Sequence, residues 1–147
     1  MVVRQLRPDD IYQLYPMAEE HETDLDGGHF EEHVAALMEN ATGLFVGVFD
    51  GPLLIATAAG VLGQDVFSGH VGLYGLWWYV APHRRGGTVA LRALRGLFRR
   101  ARTMGARTAE MGVQVSGNER VGEIYARMGL TPRTTSYIGE LGKCLQQ

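Results

Sequence analysis

The stretch Trp77–Gly105, WWYVAPHRRGGTVALRALRGLFRRARTMG, constrains the fold most. Leu76 to Val80 is apolar, aromatic and β-branched, which suits a buried strand. Ala81-Pro82 ends it, because proline has no donor for a continuing ladder. Arg84-Arg85-Gly86-Gly87 then allows a tight turn and a close approach of backbone to a ligand. From Thr88 the apolar residues Val89, Leu91, Leu94, Leu97, Phe98, Ala101 and Met104 recur at helical spacing, and Gly105 is a natural stop. A glycine turn that feeds a helix N-terminus presents backbone N–H groups and the positive end of the helix dipole, so it can hold a phosphate. By itself this strand-turn-helix is equally compatible with a plain βα connection. It is neither G-x-x-x-x-G-K-[ST] nor G-x-G-x-x-G, which excludes the P-loop and the dinucleotide fingerprint.

What surrounds the stretch must fit one globular domain, residues 1–147: 147 residues, 46% hydrophobic and 20% charged, support a single sizeable core. The formal net charge is −2, but it is unevenly spread. Residues 1–40 carry ten of the sixteen acids against Arg4 and Arg7, whereas residues 84–107 carry eight arginines. Arginines 92, 95, 99, 100 and 102 read as the solvated face of the central helix. The negative balance and the lack of interleaved exposed aromatics disfavour nucleic-acid binding. Cys144 has no internal partner for a disulfide, and Met1–Arg7 has no apolar core of a signal peptide, so a reducing, cytoplasmic setting is expected. Asp50-Gly51-Pro52 interrupts the apolar run 43–63, which reads as a hairpin with neither half long enough to span a bilayer.

In order, the chain predicts a strand at Val2–Leu6 and a helix begun by Pro8-Asp9-Asp10 with Ile11, Leu14, Tyr15 and Ala18 inward. An acidic loop follows from Glu19 to Gly28, then a helix with Phe30, Val34, Leu37 and Met38 inward. The hairpin and a strand Val71–Val80 come next, with Gly72 and Gly75 marking a bulge or a close approach. Beyond the central helix, the pattern predicts a strand at 107–115, a helix at 119–128 ended by Gly129, and a last strand at 131–141. The order is β-α-α-β-β-β-α-β-α-β. Trp77 and Trp78 must point to opposite faces of their strand.

This order resembles the GCN5-related N-acetyltransferase (GNAT) fold, and two motifs carry the resemblance. The family signature V-x-P-x-x-R-G-x-G-x-G/A is met by Val80-Ala81-Pro82-His83-Arg84-Arg85-Gly86-Gly87-Thr88-Val89-Ala90, with Thr88 in place of the middle glycine. The second, N-x-x-A-x-x-[LI]-Y-x-x-x-G-[FL], is met from Asn118 through Ile124 and Tyr125 to Gly129-Leu130, with Val121 for alanine. The Arg-Gly-Gly variant is similar to a phage or prophage branch of the family.

The resemblance implies an α+β fold with a mixed, mostly antiparallel sheet, about four flanking helices, and fourth and fifth strands that splay apart. It implies acetyl-CoA as co-substrate. The pyrophosphate would rest on the Arg85, Gly86, Gly87, Thr88, Val89 and Ala90 turn. A backbone N–H near Trp78 would polarise the thioester carbonyl, and the pantetheine arm would pair near Val80. Asn118 would bind the cofactor arm and Tyr125 would protonate the departing thiolate. Tyr125 is also compatible with ordinary core packing.

The general base stays unassigned. The place where relatives carry a glutamate is Tyr74, which leaves Glu110, His70, His29, His33 or a water relay. His21, His29 and His33 have no metal-cage spacing, so no metal is expected. The acidic segment Glu19–Glu32 would border the acceptor side and attract a cation, either a small-molecule amine or a lysine or N-terminal amine. The resemblance also allows a homodimer. A virion or assembly protein that keeps the fold without catalysis is the competing reading, favoured by the irregular glycine motif and the missing base.

Overall fold

The computed structural model describes residues 1–22, 24–85, 87–112, 119–134 and 139–146, without the side chain of Glu119. The chain divides into two compact units, 1–112 and 113–147. In the first unit, β1 (Val2–Gln5), β2 (Gly43–Asp50), β3 (Leu53–Gln64), β4 (Val71–Val80) and β5 (Thr108–Glu110) form one sheet in sequence order. All pairings are antiparallel except β4 with β5. Helices α1 (Ile11–His21) and α2 (Gly27–Glu39) precede β2, and α3 (Val89–Thr103) connects β4 to β5.

The strands β2 and β3 read as nearly continuous apolar runs because both faces of the sheet are covered. Alternation sends Leu44, Val46 and Val48 to a cluster with Val89, Ala93, Leu97 and Ala101 of α3. Phe45 and Phe49 go to the opposite cluster, with Ile11, Leu14 and Met17 of α1 and Val34 of α2. The α3 arginines at 92, 95, 99, 100 and 102 are exposed, as its periodicity predicts. Gly105, at φ +98°, ends the helix turn where the sequence places the stop.

Two departures occur at α1 and α2. A 3-10 turn, Pro8–Asp10, precedes α1, and Met17 rather than Tyr15 is the fourth buried residue of that helix. The acidic loop is shorter than expected, because α1 runs on to His21 and Asp26 caps α2 by accepting from the His29 N–H at 3.1 Å.

Asp10 ties the start of α1 to β1. Its carboxylate accepts two bonds from the Arg4 guanidinium, at 2.7 and 3.0 Å, and one from the Arg7 N–H at 2.7 Å. Arg4 in turn lies over the Phe49 ring, 4.0 Å from its centroid. The Arg4 hydrogen bond holds the Asp10 carboxyl below the ordinary carboxylate value. A lowered folded value means stabilisation that is complete above about pH 5 and lost as pH falls below about 4. Asp10→Asn should therefore cost about 1–3 kcal/mol at neutral pH, the usual loss for a hydrogen bond to a charged group. Urea titrations from pH 7 to 3 should show the wild type converging on the variant in acid. Parallel stability curves at every pH would exclude the carboxylate as the source.

The second unit contains α4 (Glu119–Arg127) and a one-turn helix, α5 (Leu141–Cys144). The end of α4 explains the spacing of the second motif. The Leu130 N–H donates to the Tyr125 carbonyl at 2.9 Å and the Gly129 N–H to Ala126 at 3.0 Å, with Gly129 at φ +92°. This is a glycine-terminated helix cap, so Tyr-x-x-x-Gly-Leu has a local structural reason. The expected last strand is corrected at both described ends: residues 131–134 are irregular, and Leu141 opens α5. Residues 135–138 lie outside the described residues. The expected strand at 107–115 is short, Thr108–Glu110, with 113–115 likewise outside them.

Candidate active site

The site is organised by β4 and the turn that follows it. Between β3 and β4 the register shifts at Ala59/Gly60, so that Leu76 is an extra residue between the pairs Ala59↔Trp77 and Gly60↔Gly75. Such a bulge bends its strand and increases its twist. On the other edge the parallel ladder to β5 is registered only from Gly72↔Thr108 to Tyr74↔Glu110. Gly75 permits the close approach there, since a Cβ at that position would collide with Met111 Sδ and come within 3.1 Å of the Glu110 carbonyl. The fourth strand thus continues to Val80, well beyond the last described pair with the fifth.

Backbone direction along β4 follows from one bond. The Ala81 N–H donates to the Ile55 carbonyl on β3 at 2.9 Å. Backbone groups alternate along a strand, so Tyr79 faces β3, whereas Trp78 and Val80 face the opposite edge, the β5 side.

The side chains alternate in the perpendicular sense, and both tryptophans pack. Trp78 joins the α3 cluster and donates its indole N–H to the Ala90 carbonyl at 2.8 Å, pinning β4 to the first turn of α3. Trp77 joins the other cluster and donates to Thr57 Oγ1 at 3.2 Å, and Thr57 passes its own proton to the Val46 carbonyl at 2.9 Å. Its ring stacks with Tyr79, and Tyr79 stacks on His21 of α1 with centroids 4.4 Å apart. Burial, with a smaller contribution from Glu22, pushes the Tyr79 phenol up to about 12.

After Ala81, Pro82–Arg84 makes a 3-10 turn, and α3 begins at Val89 without a side-chain cap from Thr88. Val89 is buried against the sheet, so it can offer a ligand its backbone only. Apart from its chain neighbours, the nearest described atom to a Cβ placed at Gly87 is the Arg84 carbonyl at 3.9 Å. Among the described residues, no packing contact requires glycine at that point. A group that comes close to the backbone would require it. Gly86 and Asn118 lie outside the described residues.

The arginines of the turn are held by acids distant in sequence. Arg84 bonds Asp50 of the β2–β3 hairpin at 2.6 Å, and that hydrogen bond holds the Asp50 carboxyl below its ordinary value. Arg85 bonds Glu20 of α1 at 2.6 Å and also donates from Nε to the Val80 carbonyl at 3.3 Å. Glu20, in the acidic segment expected to border the acceptor side, is thus engaged by Arg85 of the turn after β4. It also lines a groove of about 530 Å³ with Tyr12, Met17, Leu53, Pro82 and His83.

Among the candidate bases, His70 lies 2.9 Å from an Arg107 guanidinium nitrogen, His29 and His33 stack on each other on α2, and Glu110 is exposed on β5. Sequence reasoning weighed His21 only as a metal ligand and missed that its ring covers Tyr79 at the end of α1. No spacing rule links residues 21 and 79, so no local signal could have found it. Tyr125, in the second unit, is buried, and burial pushes its phenol up to about 12.

A five-stranded mixed sheet with a bulged fourth strand, a glycine turn at a helix N-terminus and a capped Tyr-x-x-x-Gly-Leu helix define an acetyltransferase-type α+β protein. The family model described as the acetyltransferase (GNAT) family matches residues 6–130, across both units, and the chain belongs to that family. Its fold is similar to that of a transcriptional regulator from Bacillus halodurans C-125, at 11% identity and TM-score 0.82, over 95% of this chain and 98% of that one. It is also similar to glucosamine-6-phosphate N-acetyltransferase from Arabidopsis thaliana, at 10% identity and TM-score 0.78, over 95% and 97%. Ribosomal-protein-alanine N-acetyltransferase from Brucella melitensis biovar Abortus 2308 matches at 13% identity and TM-score 0.74, over 95% and 99%. No curated protein sequence matches the chain. No helix among the described residues is long and apolar enough to cross a membrane.

Proposed function

We propose that this chain is an N-acetyltransferase that moves the acetyl group of acetyl-CoA to a primary amine by direct attack in a ternary complex, the whole chain acting as one domain. The observation that supports it most is the open backbone at Gly87, placed between Arg85 and the uncapped first turn of α3. That arrangement fits a pyrophosphate, with Arg85 and the N–H groups of Gly86 to Ala90 as its donors. The edge of β4 that carries the Trp78 and Val80 backbone groups would receive the thioester carbonyl and the pantetheine amides.

In this reading the neutral amine attacks the thioester carbon, and the developing oxyanion takes a hydrogen bond from the Trp78 backbone N–H. The tetrahedral intermediate gives up a proton from its nitrogen to water, the C–S bond breaks, and the thiolate leaves as a proton donor stabilises it. Tyr125 fills that role by its place in the second motif, and Asn118 binds the cofactor arm on the same ground. The phage-type branch rests on Arg85-Gly86-Gly87. The acceptor is a cationic small molecule or a lysine or N-terminal amine, drawn by the acids of α1 and α2 and deprotonated before attack.

A ligand that binds only the native state must raise its melting temperature. Millimolar acetyl-CoA should do so, and calorimetry should report one site. Acetyl-pantetheine, which lacks the phosphates, should stabilise far less. No shift and no heat with acetyl-CoA would leave the non-catalytic assembly reading in its place.

A further inference from the structure

We infer that Glu20 and the phosphates of acetyl-CoA compete for Arg85, so that binding of the co-substrate releases Glu20 at the end of α1 to hold the ammonium group of the acceptor. This deepens the acetyltransferase reading and rests on it. The Arg85 guanidinium is stretched between two elements, with Nη2 2.6 Å from Glu20 Oε1 and Nε 3.3 Å from the Val80 carbonyl. Both partners of the ion pair are substantially exposed, 47% for Arg85 and 37% for Glu20. Such pairs are weak and easily exchanged. A pyrophosphate at the start of α3 offers the same guanidinium more charge and a two-point geometry that matches its fork.

The neighbouring arginine is arranged differently. Arg84 is bonded to Asp50, on the β2–β3 hairpin, so its release would bring no acid to α1. Of the two pairs, that of Arg85 joins the cofactor turn to α1. The residue after Glu20 is His21, which lies on Tyr79 against the face of β4 opposite α3. A freed Glu20 carboxylate stays at the end of α1, on the groove it lines with Tyr12, Met17 and Pro82. A cation binding there and a polyanion binding at Arg85 would each break the same ion pair. Their affinities must then rise together, because coupling between two sites is reciprocal.

The test is titration of acetyl-CoA by calorimetry into the wild type, Glu20→Gln, Arg85→Gln and the double variant at low salt. Removing the competitor should tighten acetyl-CoA about two- to five-fold, which is the worth of an exposed ion pair read as an affinity. The gain should shrink at about 0.5 M salt, where exposed charges are screened within a few ångströms. In the Arg85→Gln background the Glu20 substitution should change nothing. Acetyl-pantetheine should bind Glu20→Gln and the wild type equally. Glu19→Gln removes the same charge one residue away and should leave acetyl-CoA affinity unchanged. If the wild type binds acetyl-CoA but Glu20→Gln binds it no tighter, the exchange is wrong while the enzyme reading stands. An equal gain from Glu19→Gln would also overturn it, since bulk charge would then be the cause. No binding of acetyl-CoA to the wild type would remove both.

Discussion

Gly87→Asp is expected to abolish stabilisation by acetyl-CoA while leaving the free protein as stable as the wild type, or slightly more so. A Cβ at this position lies 3.9 Å from the nearest described atom outside its chain neighbours, so it meets no clash among them. A carboxylate just before the first turn of α3 also interacts favourably with the helix dipole, typically by about 0.3–1 kcal/mol. Next to a pyrophosphate the same carboxylate becomes a like charge in close contact, which costs several kcal/mol. Affinity should fall by at least about 100-fold. Gly87→Ala adds volume without charge and should retain most of the binding. The melting temperature with and without acetyl-CoA checks both halves of the expectation. A wild-type ligand shift in Gly87→Asp would place the phosphates elsewhere.

Tyr125→Phe should lower kcat by about 10²–10⁴-fold, the usual contribution of a positioned proton donor. Acetyl-CoA affinity should be retained, and stability should fall by no more than the roughly 1 kcal/mol of one hydrogen bond. Burial that pushes the phenol up to about 12 keeps it protonated throughout the neutral range, so it should add no alkaline limb to the kcat profile below about pH 11. If the hydroxyl serves the departing thiolate, the loss in Tyr125→Phe should narrow as the leaving thiol is made more acidic. Wild-type turnover by the variant would move the donor to another residue. Unfolding of the variant would make the hydroxyl a packing group.

Much of the fold was legible because its determinants are local. The apolar period of α3, the Asp50-Gly51 turn between β2 and β3, and the run Val71–Val80 each act within a few residues. So did Gly75 as the mark of a bulge, borne out by the extra residue Leu76 beside it. Of the expected last strand only the ends are tested, since residues 135–138 lie outside the described residues and Leu141 opens α5. The described residues 131–134 are in no strand.

The site divides differently. Its chemistry-bearing stretch, Val80 to Ala90, and the capped helix with Tyr125 could be read as motifs, since each is a short local geometry. The partners of that stretch could not. Glu20 meets Arg85 across 65 positions, Asp50 meets Arg84 across 34, and His21 covers Tyr79. The sequence by itself determined the α+β class, the order of the elements through α4 and the glycine turn at the head of α3, because hydrophobic period and turn chemistry are written residue by residue. The tertiary structure alone decided which acids the turn's arginines hold and which imidazole lies on β4. Those pairings depend on where α1 and the β2–β3 hairpin come to rest against the end of β4, and exposed charges and rings carry no periodicity that could announce it.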